Sequence, residues 1–137
     1  MTEIENLLPH REPFLFVDEI VEASKVKITA RHIFTGKEFF FPGHFPDYPV
    51  VPGVILVETM AQSGGAGLKK LNIINAEGLF YLATVDKAKF RRQVRPMEEV
   101  CSEITNLRIS PKMIKQSGKA YVGNELAAEA EWMCVVC

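Results

Sequence analysis

Val54-Ile55-Leu56-Val57-Glu58-Thr59-Met60-Ala61-Gln62 is the stretch that decides the fold. Wound as a helix it is apolar on nearly every face, and a helix of that kind is buried all round. Extended from Gly53 to residue 71, it would reach about 28 Å at 1.5 Å per residue, the width of a small domain. Its β-branched start has poor helix propensity, so packing must hold it. The preceding residues, 42–53, exclude regular structure. Pro42, Pro46, Pro49 and Pro52 recur there, together with Gly43 and Gly53, each proline removing a backbone donor and restraining its neighbour. A rigid loop of that length in a small domain usually carries function. Further out, residues 3–8 read as a short helix, and 14–22 and 25–34 as strands. Strands return at 79–91, 98–110, 112–122 and 125–136, with Gly123-Asn124 as a two-residue hairpin turn. In the second strand Val26, Ile28, Ala30 and Phe34 share a face that His32 interrupts. One buried helix with several long antiparallel strands predicts an α+β fold, a sheet curled around a central helix. Without repeat or linker, residues 1–137 read as a single domain.

Composition narrows the function. Sixteen Lys and Arg against seventeen Asp and Glu give a formal charge of −1, which argues against nucleic acid as a partner. The N-terminus is acidic with no apolar run behind it, unlike a signal peptide. No stretch approaches the length of a membrane span, so no membrane insertion is expected. Three cysteines make no disulfide framework, which points to a reducing cytoplasm.

Two residues stand out chemically. His44 lies in the rigid loop, and Glu58 is the only carboxylate between Asp47 and Glu77. A Glu in an apolar helix is costly unless it is paired or protonated. Burial raises its pKa and suits it to general acid work near neutrality. Gln62, one turn on, can hold that carboxyl group or a water, and Ala61 and Gly65 leave room beside it. Gly53 and Val54 open the helix, where unpaired N–H groups and the dipole can stabilise an oxyanion and bind substrate. A His base, a Glu acid and such donors suit proton removal next to a carbonyl. Alternatively, His44 serves the loop's structure alone and Glu58 anchors a loop or a dimer contact.

Gly43-His44-Phe45-Pro46-Asp47-Tyr48-Pro49-Val50-Val51-Pro52-Gly53-Val54, followed by Glu58, Met60, Ala61 and Gln62, closely resembles the signature of 3-hydroxyacyl-[acyl-carrier-protein] dehydratases of the FabZ type. Leu8-Pro9-His10-Arg11 with Pro13-Phe14-Leu15, Asp86 to Arg91, and Ala128-Glu129-Ala130-Glu131 extend the resemblance over nearly the whole chain. It implies the hotdog fold, a curved antiparallel sheet around one long helix. It implies homodimers, often three to a hexamer, with active sites shared between His of one copy and Glu of the other. The implied reaction turns a 3-hydroxyacyl thioester on acyl carrier protein into the trans-2-enoyl thioester, with no metal or organic cofactor. His44 would take the C2 proton, Glu58 would protonate the departing hydroxyl, and the Gly53 N–H would polarise the carbonyl. Tyr81 falls where relatives have a tunnel-gating aromatic; it reads equally well as a strand aromatic packed in the core.

The carrier protein is acidic. Lys87, Lys89 and Arg91 alternate along one strand face, with Arg92 and Arg95 nearby, and such a ladder suits carrier docking or is a solvated face. The chain departs from the family pattern at Glu12, at Lys37 and at Pro96-Met97-Glu98, where Pro-Gly-Asp is frequent. None of these touches His44 or Glu58, although they leave a specialised acyl pathway open. Cys134 and Cys137 form a C-x-x-C whose members would face opposite sides of a strand, a poor metal site. His10 reads as a structural contact of the N-terminal segment. The rival functions are an acyl thioesterase on the same fold, a dehydratase that also isomerises the double bond, and a non-catalytic acyl-binding module. The His–Glu pair disfavours the first and last, and Glu rather than Asp at position 58 disfavours the second.

Overall fold

The computed structural model describes residues 1–75 and 77–137. A short helix α1 (Glu3–Leu7) is capped by Thr2, whose hydroxyl accepts from the Glu5 N–H. Strands β1 (Glu19–Ala23) and β2 (Lys27–Ile33) precede the long helix α2 (Gly53–Lys70). Strands β3 (Phe80–Phe90), β4 (Glu99–Ile109), β5 (Met113–Val122) and β6 (Glu125–Val136) follow it. They form one six-stranded antiparallel sheet in the order β1-β2-β4-β5-β6-β3. The sheet curls around α2, which is the hotdog fold. Among the described residues no helix is long and apolar enough to cross a membrane.

The helix is held by packing. From Ile55 to Lys69 only Glu58 escapes full burial. Its small residues let the sheet close on it: a Cβ at Gly64, Gly65 or Gly67 would overlap Gln116, Phe80 or Ile28. The facing surface is apolar, with Ile28, Val100, Ile104, Ile114, Ala128 and Trp132 all buried. Lys69, near the end of α2, lies buried with its Nζ donating to the Gly78 carbonyl at 2.5 Å. Burial lowers its pKa.

Three expectations need correction. Residues 14–18 are not strand. Gln62 reaches across from α2, its Oε1 accepting from the Phe16 N–H at 2.8 Å and its Nε2 donating to the Phe14 carbonyl at 3.1 Å. A buried side chain thus supplies the bonds that a neighbouring strand would. Val26 lies before β2 and is 69% exposed, because Ser24 closes a turn there with Lys27. The inner face of β2 is Ile28, Ala30 and His32, and His32 is buried by virtue of a 2.8 Å bond from Nδ1 to Asp18. The proline loop, finally, opens with a 3-10 turn at Phe41–Gly43.

Strand β3 lies at one edge of the sheet, and Tyr81, Val85 and Phe90 on it are exposed. A long edge strand with exposed apolar groups is a template for pairing with another chain.

Candidate active site

The loop before α2 is cross-braced. The Val50 N–H donates to the His44 carbonyl at 2.9 Å, and Phe45 and Tyr48 exchange N–H···O bonds at 3.1 Å. The Tyr48 hydroxyl donates to Gln93 at 3.0 Å, and the Arg95 guanidinium lies 3.9 Å from the Tyr48 ring centre. His44 Nδ1 lies 2.9 Å from the Val50 carbonyl. A carbonyl can only accept, so Nδ1 carries the proton and Nε2 is left as a free base. The ring stacks on Phe45 at 4.3 Å between centroids. His44, Gly53, Val54, Phe90, Arg91 and Arg92 line one cavity of about 480 Å³. The Phe90 ring covers Gly53 so closely that a Cβ there would overlap it. The N–H groups of Gly53 and Val54, in the first turn of α2, have no acceptor within the helix.

Glu58 lines a different cavity of about 220 Å³ with His10, Phe80, Tyr81 and Cys134. Burial pushes its carboxyl above the usual range, opposed in part by the bond from Gln62. That bond, Nε2 to Glu58 Oε2 at 2.9 Å, has a fixed sense. The Phe16 N–H requires the amide oxygen on its own side, so the amide NH₂ must face Glu58. Oε2 is therefore an acceptor, and a proton on the carboxyl group belongs on Oε1.

His10, read from the sequence as a structural contact, comes beside Glu58. Its Nε2 lies 3.8 Å from Glu58 Oε2. Its place in the quoted Leu8–Arg11 motif was the available signal, but no periodicity links it to position 58. The space expected beside Gly65 is also absent, because the Phe80 ring fills it. Ala61 does line the Glu58 cavity. Tyr81 is 55% exposed at that cavity's rim, so it is not a core aromatic.

The basic ladder is irregular. The β3–β6 register shifts between Asp86 and Lys89, and Lys87 adopts a positive φ of 52°. Lys87 pairs with Glu131 at 3.2 Å and Arg91 with Glu129 at 3.4 Å, while Lys89 stands opposite Glu129. Arg92 is held by Glu98 and Glu125, and these carboxylates raise its pKa. Arg91 and Arg92 reach the mouth of the His44 cavity; Arg95 is engaged with Tyr48. Cys134 is buried, its thiol pushed up to about 12 by burial and Glu58, whereas Cys137 is exposed beyond β6.

The family model described as FabA-like domain matches residues 8–131. The chain is 44% identical over 134 residues to the 3-hydroxyacyl-[acyl-carrier-protein] dehydratase FabZ of Desulforamulus reducens, covering 97% of this chain and 94% of that protein. It is 41% identical over 138 residues to the protein of the same name from Pelotomaculum thermopropionicum, covering 99% and 97%. The dehydratase heterocomplex ApeI:P of Xenorhabdus doucetiae contains a chain of similar fold, with a TM-score of 0.84 at 15% identity, covering 98% of this chain and 91% of that one.

Proposed function

We infer, from the premise that the chain belongs to the FabA-like domain family and within it to the FabZ 3-hydroxyacyl-[acyl-carrier-protein] dehydratases, that His44 and Glu58 of two different copies carry out its reaction. The reaction is loss of water from a 3-hydroxyacyl thioester on acyl carrier protein, giving the trans-2-enoyl thioester of fatty-acid biosynthesis. The enzyme is a hydro-lyase.

The observation that carries the inference is that His44 and Glu58 line separate cavities at opposite ends of β3. Phe90 belongs to the His44 cavity, and Phe80 and Tyr81 to the Glu58 cavity. A two-fold axis near Val85, mid-strand, would pair β3 with its copy antiparallel. Phe80 would then face the partner's Phe90, and each Glu58 cavity would join the partner's His44 cavity. Such a contact is self-complementary and yields two equal sites. It would also cover the exposed apolar edge. A trimer of such dimers is the larger assembly that the family resemblance implies.

In the joined site the thioester carbonyl accepts from the Gly53 N–H at the positive end of α2, which acidifies C2. His44 Nε2 removes the C2 proton, and the Val50 carbonyl stabilises the imidazolium that forms. Glu58 gives its Oε1 proton to the C3 hydroxyl, the C3–O bond breaks, and water leaves as the C2–C3 double bond forms. The apolar walls around Val54, Phe90 and Tyr81 receive the acyl chain, with Tyr81 at the rim. Lys87, Lys89 and Arg91 meet the acidic carrier, and Arg92 and Arg95 shape the rim beside them. Three free cysteines suit a cytoplasmic setting.

Hydration of crotonyl thioester, followed by loss of enoyl absorbance, tests the inference in the reverse direction. The native chain should turn over, and His44→Ala and Glu58→Gln should each lose about 10²–10⁴-fold. Undiminished turnover in either variant, or release of free thiol without hydration, would overturn it.

A further inference from the structure

The Glu58 cavity holds a group that the mechanism above does not use. The His10 ring enters it from the N-terminal segment, 5.5 Å from the Phe80 ring between centroids. Arg11 fixes the backbone there, its Nη1 donating to the Leu8 and His10 carbonyls at 2.7 Å. His10 Nδ1 is buried and meets no hydrogen-bond partner among the described residues. A buried orphan N–H costs more than a bare ring nitrogen, so the neutral ring carries its proton on Nε2. That nitrogen faces Glu58 Oε2 at 3.8 Å, the oxygen that already accepts from Gln62.

We propose that His10 is a positioning residue for catalysis: as a neutral Nε2–H donor it joins Gln62 in holding Glu58 Oε2, which keeps the acid's proton on Oε1 and steadies the carboxylate left when that proton departs. His10 neither gains nor loses a proton. The separation closes to a direct bond when the carboxylate forms, because hydrogen bonds to ionised groups are shorter and stronger than those to neutral ones. The neutral state suits the surroundings, since burial and nearby Lys69 both lower the His10 pKa. The titratable groups around the carboxyl are His10 from the N-terminal segment, Tyr81 from β3 and Cys134 from β6, while Lys69 from α2 acts on His10. This inference rests on the reading of Glu58 as the acid.

The test compares native chain, His10→Phe and His10→Gln in crotonyl thioester hydration from pH 5 to 9. Phe keeps the ring contact with Phe80 but donates nothing, whereas Gln restores an N–H. In hydration Glu58 must start as the carboxylate. Loss of a donor raises its pKa and moves the acid limb to higher pH. His10→Phe should lower kcat about 10- to 30-fold with KM held within about twofold, and raise the acid limb by about half a pH unit or more. His10→Gln should recover most of both. Native kcat and limb in a folded His10→Phe, or failure of Gln to rescue, overturns the proposal. Titration of the Glu58 carboxyl by carbon-13 NMR, with Glu58→Gln as assignment control, reads the same shift without turnover. A native chain that never hydrates the substrate therefore defeats the dehydratase mechanism while His10 is still decided. If His10→Phe does not fold, the NMR titration of His10→Gln decides: a native-like midpoint supports the donor, and a raised one overturns it.

Discussion

Replacing Gln62 by Leu should both destabilise the fold and shift the acid. The side chain is fully buried and makes three bonds, from the Phe16 N–H, to the Phe14 carbonyl and to Glu58 Oε2. Leu fills nearly the same volume, so no large cavity forms. The Phe16 N–H loses its acceptor inside the core, at about 1–3 kcal/mol. Phe14 is 40% exposed, so water can partly replace the bond to its carbonyl. The lost bonds to Phe14 and Glu58 add about 1 kcal/mol and greater apolar burial offsets about 1 kcal/mol, leaving a net loss of about 2 kcal/mol. For a chain of this length that is about 7 °C in Tm, measured at one protein concentration because association contributes. Glu58 also loses the donor that favours its charged form, so its pKa climbs further and the acid limb of hydration moves up. A Tm within about 2 °C of native, or an unmoved limb, would refute the reasoning about this amide.

The remaining predictions are narrower. Burial raises the folded-state pKa of Glu58, so its contribution to stability is lost as pH climbs from the ordinary carboxyl range through the raised value. Glu58→Gln should therefore melt higher than the native chain at pH 8, by thermal denaturation, although it is inactive. Gly53→Ala should push Phe90 off the helix start and cut kcat at least about tenfold, with Phe90→Leu as the relieving second change in the same kinetic assay. Met97 holds a φ of 70° and is 68% exposed, so Met97→Gly should stabilise by about 0.5–1 kcal/mol in chemical denaturation. Lys89→Glu should raise KM for carrier-linked substrate and leave the coenzyme A thioester nearly unchanged, an effect that shrinks with salt.

Much of this was legible in the sequence because it rests on local pattern. The apolar run at 54–62 and the prolines of 42–53 announce a buried helix behind a rigid loop, and the lone Glu on that helix marks a candidate acid. At Pro96-Met97-Glu98, where the family pattern frequently has Pro-Gly-Asp, Met97 stands in the left-handed region that favours glycine. What was illegible depends on side chains that reach far along the chain. Gln62 satisfies the backbone of Phe14 and Phe16 and so removes the first part, 14–18, of the strand expected over 14–22. Phe80 fills the gap at Gly65, and His10 comes beside Glu58 from far along the chain, where Arg11 braces the Leu8 and His10 carbonyls. The bulge at Lys87 likewise breaks a ladder that looked regular by spacing alone.

Subunit complementation tests the central claim most directly. His44→Ala and Glu58→Gln chains, each folded and inactive, are mixed under conditions of subunit exchange and assayed for crotonyl thioester hydration. If each site takes His44 from one copy and Glu58 from the other, hybrid dimers regain one intact site, and the mixture should recover about one quarter of native activity. No recovery after exchange is verified, or full activity in a native chain held monomeric, would contradict the shared site.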